Sequence, residues 1–230
     1  MEEIIRVLSE THALILSGEP KGYGWLLGTL VGVFYLTAGY MLWGLISSII
    51  SRDIWHFINR VEGASTFFGL VAATLIPVLA ILITYEVVSR YAFGAPTSWA
   101  FEISYMLMGT SLMLGIAWCT HVRKHIRVDF LYDNLNPRGK AGVDFIGLLL
   151  LLLPILIWTS WALYVYFLEA YKVNEQSGES AWNPIIWPFK FTFCFGFFLF
   201  TMQALVEMIK SALTLTGHDV PDPDLPGGIH

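Results

Sequence analysis

Gly63-Ala-Ser-Thr-Phe-Phe-Gly-Leu-Val-Ala-Ala-Thr-Leu-Ile-Pro77-Val-Leu-Ala-Ile-Leu-Ile-Thr-Tyr85 runs without one acidic or basic side chain, between Glu62 and Glu86. A hydrocarbon core about 30 Å thick is crossed by about 20 residues of helix, so this stretch is long enough to span a bilayer. Its apolar residues are continuous rather than alternating, which excludes a barrel strand; a barrel also needs at least about eight strands. Four further stretches behave alike: residues 22–51, 103–122, 145–168 and 191–206. The last is short, but Pro188 can start its helix at Trp187–Pro188, and Glu207 and Lys210 can snorkel from its far end. The chain is 56% hydrophobic and 13% charged, against about 25% charged in a soluble domain. It reads as an all-α integral membrane protein.

Residues 52–62 precede the first quoted span. There Ile54, Phe57, Ile58 and Val61 repeat at helical spacing, with Asp53, His56 and Arg60 on other faces. That pattern predicts a short interfacial amphipathic helix. The organisation is therefore an N-terminal segment (1–21), an extra N-terminal hydrophobic helix (22–51), the interfacial helix (52–62), a four-helix transmembrane core (63–212) and a tail (213–230). The tail from Gly217 is acidic and rich in Pro and Gly, a composition of disorder. Pro77 and Pro154 fall inside spans and predict kinks. Gly69, Ala72, Ala73, Gly109, Ser111 and Gly115 offer small faces for close helix approach. The N-terminus lacks the basic region of a secretory signal. Cys119 and Cys194 read as packing residues near opposite membrane faces, not as a disulfide or metal pair.

Basic residues set the orientation. The connection between the third and fourth runs holds Arg123, Lys124, Arg127, Arg138 and Lys140, and the one before residue 63 holds Arg52 and Arg60. The connection at 86–102 holds only Arg90, and Lys172 and Lys190 are accompanied by Glu169, Glu175 and Glu179. The more basic connections belong in the cytoplasm. The C-terminus is then cytoplasmic and, with residues 22–51 spanning, the N-terminus is periplasmic.

Two charged constellations stand at the span ends. On the outside, Glu86 and Arg90 are four apart with the acid first, the better order for a helical pair. Glu102 opens the next helix at similar depth, so a Glu86–Arg90–Glu102 cluster is expected. The simplest reading is a cluster that pins the hairpin; the functional one is docking of an external partner or coupling to a second membrane subunit. On the inside lies His121-Val-Arg-Lys-His125-Ile-Arg127-Val-Asp129. His121 and His125 have a spacing that suits a metal, but no third ligand is evident and the surrounding cations oppose one. Asp129 accepting from His125 or a neighbouring Arg, with the basic residues held against anionic lipid headgroups, fits better. No midplane His pair suits haem, no nucleotide or hydrolase motif occurs, and no basic face interleaved with aromatics suits nucleic acid. Neither a cofactor nor catalysis is expected.

Residues 57 to about 212 resemble the small membrane subunit of TRAP transporters, the tripartite ATP-independent periplasmic systems (DctQ-like). The matching wording is Arg90-Tyr-x-Phe-Gly, then Pro96-x-x-Trp99-x-x-Glu102, Leu114-Gly115, Arg123-x-His125-Ile-x-Val-Asp129 and Asn136-Pro-Arg138, with Ser177 to Pro188 similar to the outer connection. The resemblance implies a sodium-driven secondary transporter, a symporter in a bacterial inner membrane, that takes up organic anions such as carboxylates or sulfonates. Its partners would be a large membrane subunit carrying the transport and sodium sites, a periplasmic substrate-binding protein, and lipids. By resemblance, Glu102, Arg90 and Trp99, with Glu86 beside them, belong to assembly or docking on the outer face, and Arg123, His125, Arg127 and Asp129 to inner-face architecture. The first hydrophobic helix departs from the family's usual four spans. The alternative reading is a membrane anchor or cytochrome-like subunit of a respiratory complex, which would bind haem.

Overall fold

The computed structural model describes residues 24–122 and 135–218, together with Arg6, Ser9, Ala13 and Val220. Among them are the helices α1 (Gly24–Ser51), α2 (Trp55–Ala92), α3 (Ala100–His121), α4 (Pro137–Gly147), α5 (Leu153–Lys172) and α6 (Trp187–Leu215), with a π-helical turn at Leu148–Leu152 joining α4 to α5. Five helical stretches are long and apolar enough to cross a membrane, the fourth being Arg138–Lys172 through the π turn. The protein is thus an all-α membrane protein, as its charge-free runs require. The one strand-like feature among the described residues is an isolated antiparallel bridge between Gln176 and Ile185.

Helix boundaries follow local chemistry. The α4 N-terminus is capped by Asn136, whose side chain accepts from the Gly139 amide at 2.7 Å, and Pro137 supplies the preset φ of a first turn. Pro154 has no N–H to give, and immediately before it the backbone widens into the π turn, in which the Leu153 amide reaches Leu148. Pro77 is handled differently, since α2 continues through it to Ala92. Residues 52–62 do not form a separate element: their apolar stripe lies in the first turns of α2. Phe57, Ile58 and Val61 are buried in the protein core. The α1–α2 corner is tied by Ser48, which accepts from the Phe57 amide at 3.2 Å and donates to the Asp53 carbonyl at 2.7 Å.

The core forms around α6, the most enclosed of the spans. Phe195 is the meeting point. It packs edge-on against Phe68 of α2 at 4.8 Å, parallel to Phe191 at 6.2 Å, and 6.2 Å from Phe34 of α1. Such offset and edge contacts are the preferred aromatic geometries, worth about 0.5–1.5 kcal/mol each beyond simple burial. Lipid is as apolar as these rings, so close packing, not water exclusion, holds the helices together. Gly69 of α2 lies where a β-carbon would fall 2.5 Å from the Cβ of Trp118, and Gly196 where one would fall 2.5 Å from the Met113 carbonyl oxygen. Gly109 faces Phe189, and Gly115 faces Ala72. Ala73 is exposed instead.

Outside this packing the surface is apolar. The buried positions of α2 end at Ala72, and beyond it Ile76, Val78, Ile81, Val87 and Tyr91 are exposed. Leu36, Trp43, Ile49 and Ile50 continue the belt on α1.

Gly196→Ala should lower the thermal midpoint of the detergent-solubilised protein, because backbone cannot yield to a methyl group as a flexible side chain can; a loss of about 1–3 kcal/mol is expected. Gly28→Ala on α1, which meets open space, should leave it unchanged or raise it slightly. Equal midpoints for the two variants would mean that α3 and α6 do not approach closely at Gly196.

Candidate functional site

Antiparallel helices gather the polar side chains at two opposite ends of the bundle. At the first, the α2–α3 turn is organised by Glu86. One carboxylate oxygen accepts both from Arg90 Nη2 at 2.6 Å and from Arg90 Nε at 3.1 Å. The other accepts from the Thr97 hydroxyl and from the Thr97 amide at 3.2 Å. Gly94, at φ +63°, makes the left-handed turn between them. Trp99 stacks on Tyr85, ring centres 6.0 Å apart at 24°, so it pins the same hairpin.

Glu102 departs from the expected cluster. It is fully buried at 0% exposure, and its Oε1 accepts from the Ser180 hydroxyl in the α5–α6 connection, not from Arg90. The reason is directional: in the first turn of α3, Glu102 turns inward toward that connection, while Arg90 is already engaged by Glu86. The connection is itself ordered. The Ser177 amide reaches the Pro184 carbonyl at 2.9 Å, the Ile186 amide the Glu175 carbonyl at 2.9 Å, and the Gly178 amide Asn183 Oδ1 at 2.8 Å. Lys190, buried at the start of α6, pairs with Glu175 and lies 3.7 Å from the Tyr166 ring centre.

The opposite end holds a buried network across three helices. Lys210 of α6 is only 3% exposed. Its ammonium pairs with Glu62 of α2 and lies 3.4 Å from Glu207 Oε1. His121 Nδ1 of α3 approaches Glu62 Oε1 at 3.4 Å. Gln203 extends the chain, donating to Glu207 at 3.4 Å and accepting from Ser65 at 2.9 Å. Glu207 and Lys210 therefore do not snorkel outward as the sequence suggested; they turn inward, where they find each other and Glu62. Glu62, His121 and Glu207 bring possible ligand atoms within 4.8 Å of one another. The Lys210 ammonium occupies that space, and a fixed cation there opposes a metal ion. Arg123, His125, Arg127 and Asp129 lie outside the described residues.

A family model described as "Tripartite ATP-independent periplasmic transporters, DctQ component" matches residues 79–214, more than half of the chain. The chain belongs to this family. A Haemophilus influenzae protein provisionally named TRAP transporter small permease protein is 29% identical over 112 residues, which cover 48% of this chain and 66% of that protein. No solved structure matches. The DctQ match begins in the second half of α2, so α1, Glu62 and Ser65 stand before it, while His121, Gln203, Glu207 and Lys210 stand within it.

Sequence reasoning missed the buried network. Its signal was present: Gln203, Glu207, Lys210 and Ser211 fall at i, i+4, i+7 and i+8, a polar stripe on an otherwise apolar helix. The Glu102–Ser180 bond carried no comparable signal, because the two residues are 78 apart in sequence.

Replacing Lys210 with Met should cost about 3–5 kcal/mol, because it strips a buried carboxylate of its counter-charge. Pairing it with Glu62→Gln should recover part of the loss, a non-additivity readable in thermal unfolding of all three variants. Strict additivity would mean that Lys210 and Glu62 do not act as a pair.

Proposed function

We propose that the protein is the small membrane subunit of a sodium-driven TRAP transporter that imports organic anions, carboxylates or sulfonates, delivered by a periplasmic binding protein. The observation that carries this reading is the DctQ match across residues 79–214. Sodium coupling, substrate class and the binding protein are inferred from the family.

Within that system the subunit is a scaffold. The centre of the bundle is filled by contacting aromatic rings of α1, α2 and α6, which suits a rigid support for a moving partner. The exposed apolar faces of α1 and of α2 beyond Ala72 supply surface for lipid and for the large subunit. A helix that continues for 38 residues, about 57 Å at 1.5 Å per residue, outruns a hydrocarbon core of about 30 Å. It would tilt, or carry the Glu86–Arg90 turn out of the membrane. By the count of basic residues the Glu62 end faces the cytoplasm and the Glu86 end the periplasm. In this reading α1 spans as well, and its start lies on the periplasmic side. Glu86, Arg90, Trp99 and Glu102 shape the outer face on which a binding protein would dock, and Arg123, His125, Arg127 and Asp129 belong to the inner face against lipid headgroups.

Affinity purification of the tagged chain from its native membrane in mild detergent should recover a large multi-helix membrane subunit. Recovery of redox subunits, or transport by this chain alone, would overturn the reading. With Cys119 and Cys194 replaced, single cysteines at Ser98 and Gly178 should react with an impermeant reagent from outside and one at Gly139 should not. Labelling of Gly139 alone would invert the topology.

A further inference from the structure

We propose that the cleft between the start of α3 and the α5–α6 connection receives a basic side chain, lysine or arginine, from a soluble protein docked at the Glu86 end. The proposal rests on the docking reading above and names the chemistry that the docked protein must present.

The cleft has a volume of about 320 Å³ and is lined by Phe101, Tyr105, Ser177, Glu179 and Ile186. Phe101 and Tyr105 meet edge to face, ring centres 5.8 Å apart, and form an aromatic corner on α3. Glu179 stands exposed on the opposing connection. Glu102 lies between the two aromatics in sequence, and Ser180 directly follows Glu179. The bond between Ser180 and Glu102 therefore stitches the two walls together. Glu102 Oε2 is buried and makes no hydrogen bond among the described residues, and the Tyr105 hydroxyl is buried beside Ser177.

Charge bookkeeping at this end selects the ligand. Arg90 is paired with Glu86, Lys172 with Glu169, and Lys190 with Glu175. Each of these three bases thus has its acid, and Glu102 and Glu179 form no ion pair among the described residues. A buried carboxylate with an unused oxygen favours a cation nearby. The aromatic corner decides which kind. Ring faces attract a guanidinium or ammonium group on its carbon stem, whereas a hard metal ion would be served by oxygens alone. A long basic side chain, laid along Phe101 with its head toward Glu179 and the Tyr105 hydroxyl, satisfies both walls at once.

The full chain in nanodiscs, titrated with hexa-arginine peptide at physiological ionic strength, tests the cleft directly. Glu179→Gln and Phe101→Ala should each weaken binding by about fivefold to tenfold, Glu179→Asp should retain it, and hexa-glutamate should not bind. Hexa-arginine binding that neither variant alters would overturn the proposal. In the complex reconstituted with its large subunit and binding protein, Glu179→Gln should raise the binding-protein concentration needed for half-maximal uptake by a similar factor. Uptake that needs the binding protein yet ignores Glu179→Gln would reject the cleft and leave the transporter reading standing. Uptake independent of any binding protein would reject that reading instead, and the peptide titration would still decide the cleft.

Discussion

The pairing of Lys210 with Glu62 sets the terms for the rest of the bundle. An ammonium at 3% exposure near the end of a membrane span is tolerable only with carboxylates in contact. Those carboxylates come from two helices, Glu62 from α2 and Glu207 from α6 itself, and His121 brings in α3. The depth and rotation of three helices are thereby fixed relative to one another. Gly69 against Trp118 and Gly196 against Met113 then become possible, because close approach needs the right faces opposed. Sliding α6 by one residue would rotate it by about 100° and take Lys210 away from Glu62.

Much of this was legible from charge-free runs alone. Five helices long and apolar enough to span, and their order, follow from where Asp, Glu, Lys and Arg are missing, and the start of α6 at Trp187 follows from Pro188. Two ambiguities were physical. An apolar stripe such as Phe57, Ile58 and Val61 is equally suited to lipid and to protein, and only the arrival of α1 and α6 settles that it faces protein. A charge near a helix end can escape desolvation by reaching outward or by finding a partner inward. For Lys210 and Glu207 the choice rests on Glu62, some 145 residues earlier in the chain, and local reading favoured the wrong branch.

Glu102 is the same problem at the other end. Its place at the start of α3 suggested alignment with Glu86 and Arg90, but a first-turn residue can point in any direction around the helix. The direction is settled by the α5–α6 connection, whose internal hydrogen bonds deliver Ser180. Glu86 was easier to read in its pairing with Arg90, one turn away, whereas its bonds from Thr97 across the hairpin were not foreseen.

The two ends consequently differ in kind. At the Glu62 end acids, base, amide and imidazole are enclosed and engaged with one another, an arrangement that resists relative motion of α2, α3 and α6. At the Glu86 end Arg90, Lys172 and Lys190 are matched by acids, while Glu179 has no ion pair among the described residues and borders an open aromatic cleft. Enclosed pairing at one end and an exposed acid at the other are what the proposed scaffold and docking roles call for. The low dielectric of the bilayer makes the division sharp. The acids and base near the Glu62 end are enclosed and satisfy one another, whereas Glu179 at the Glu86 end stays exposed.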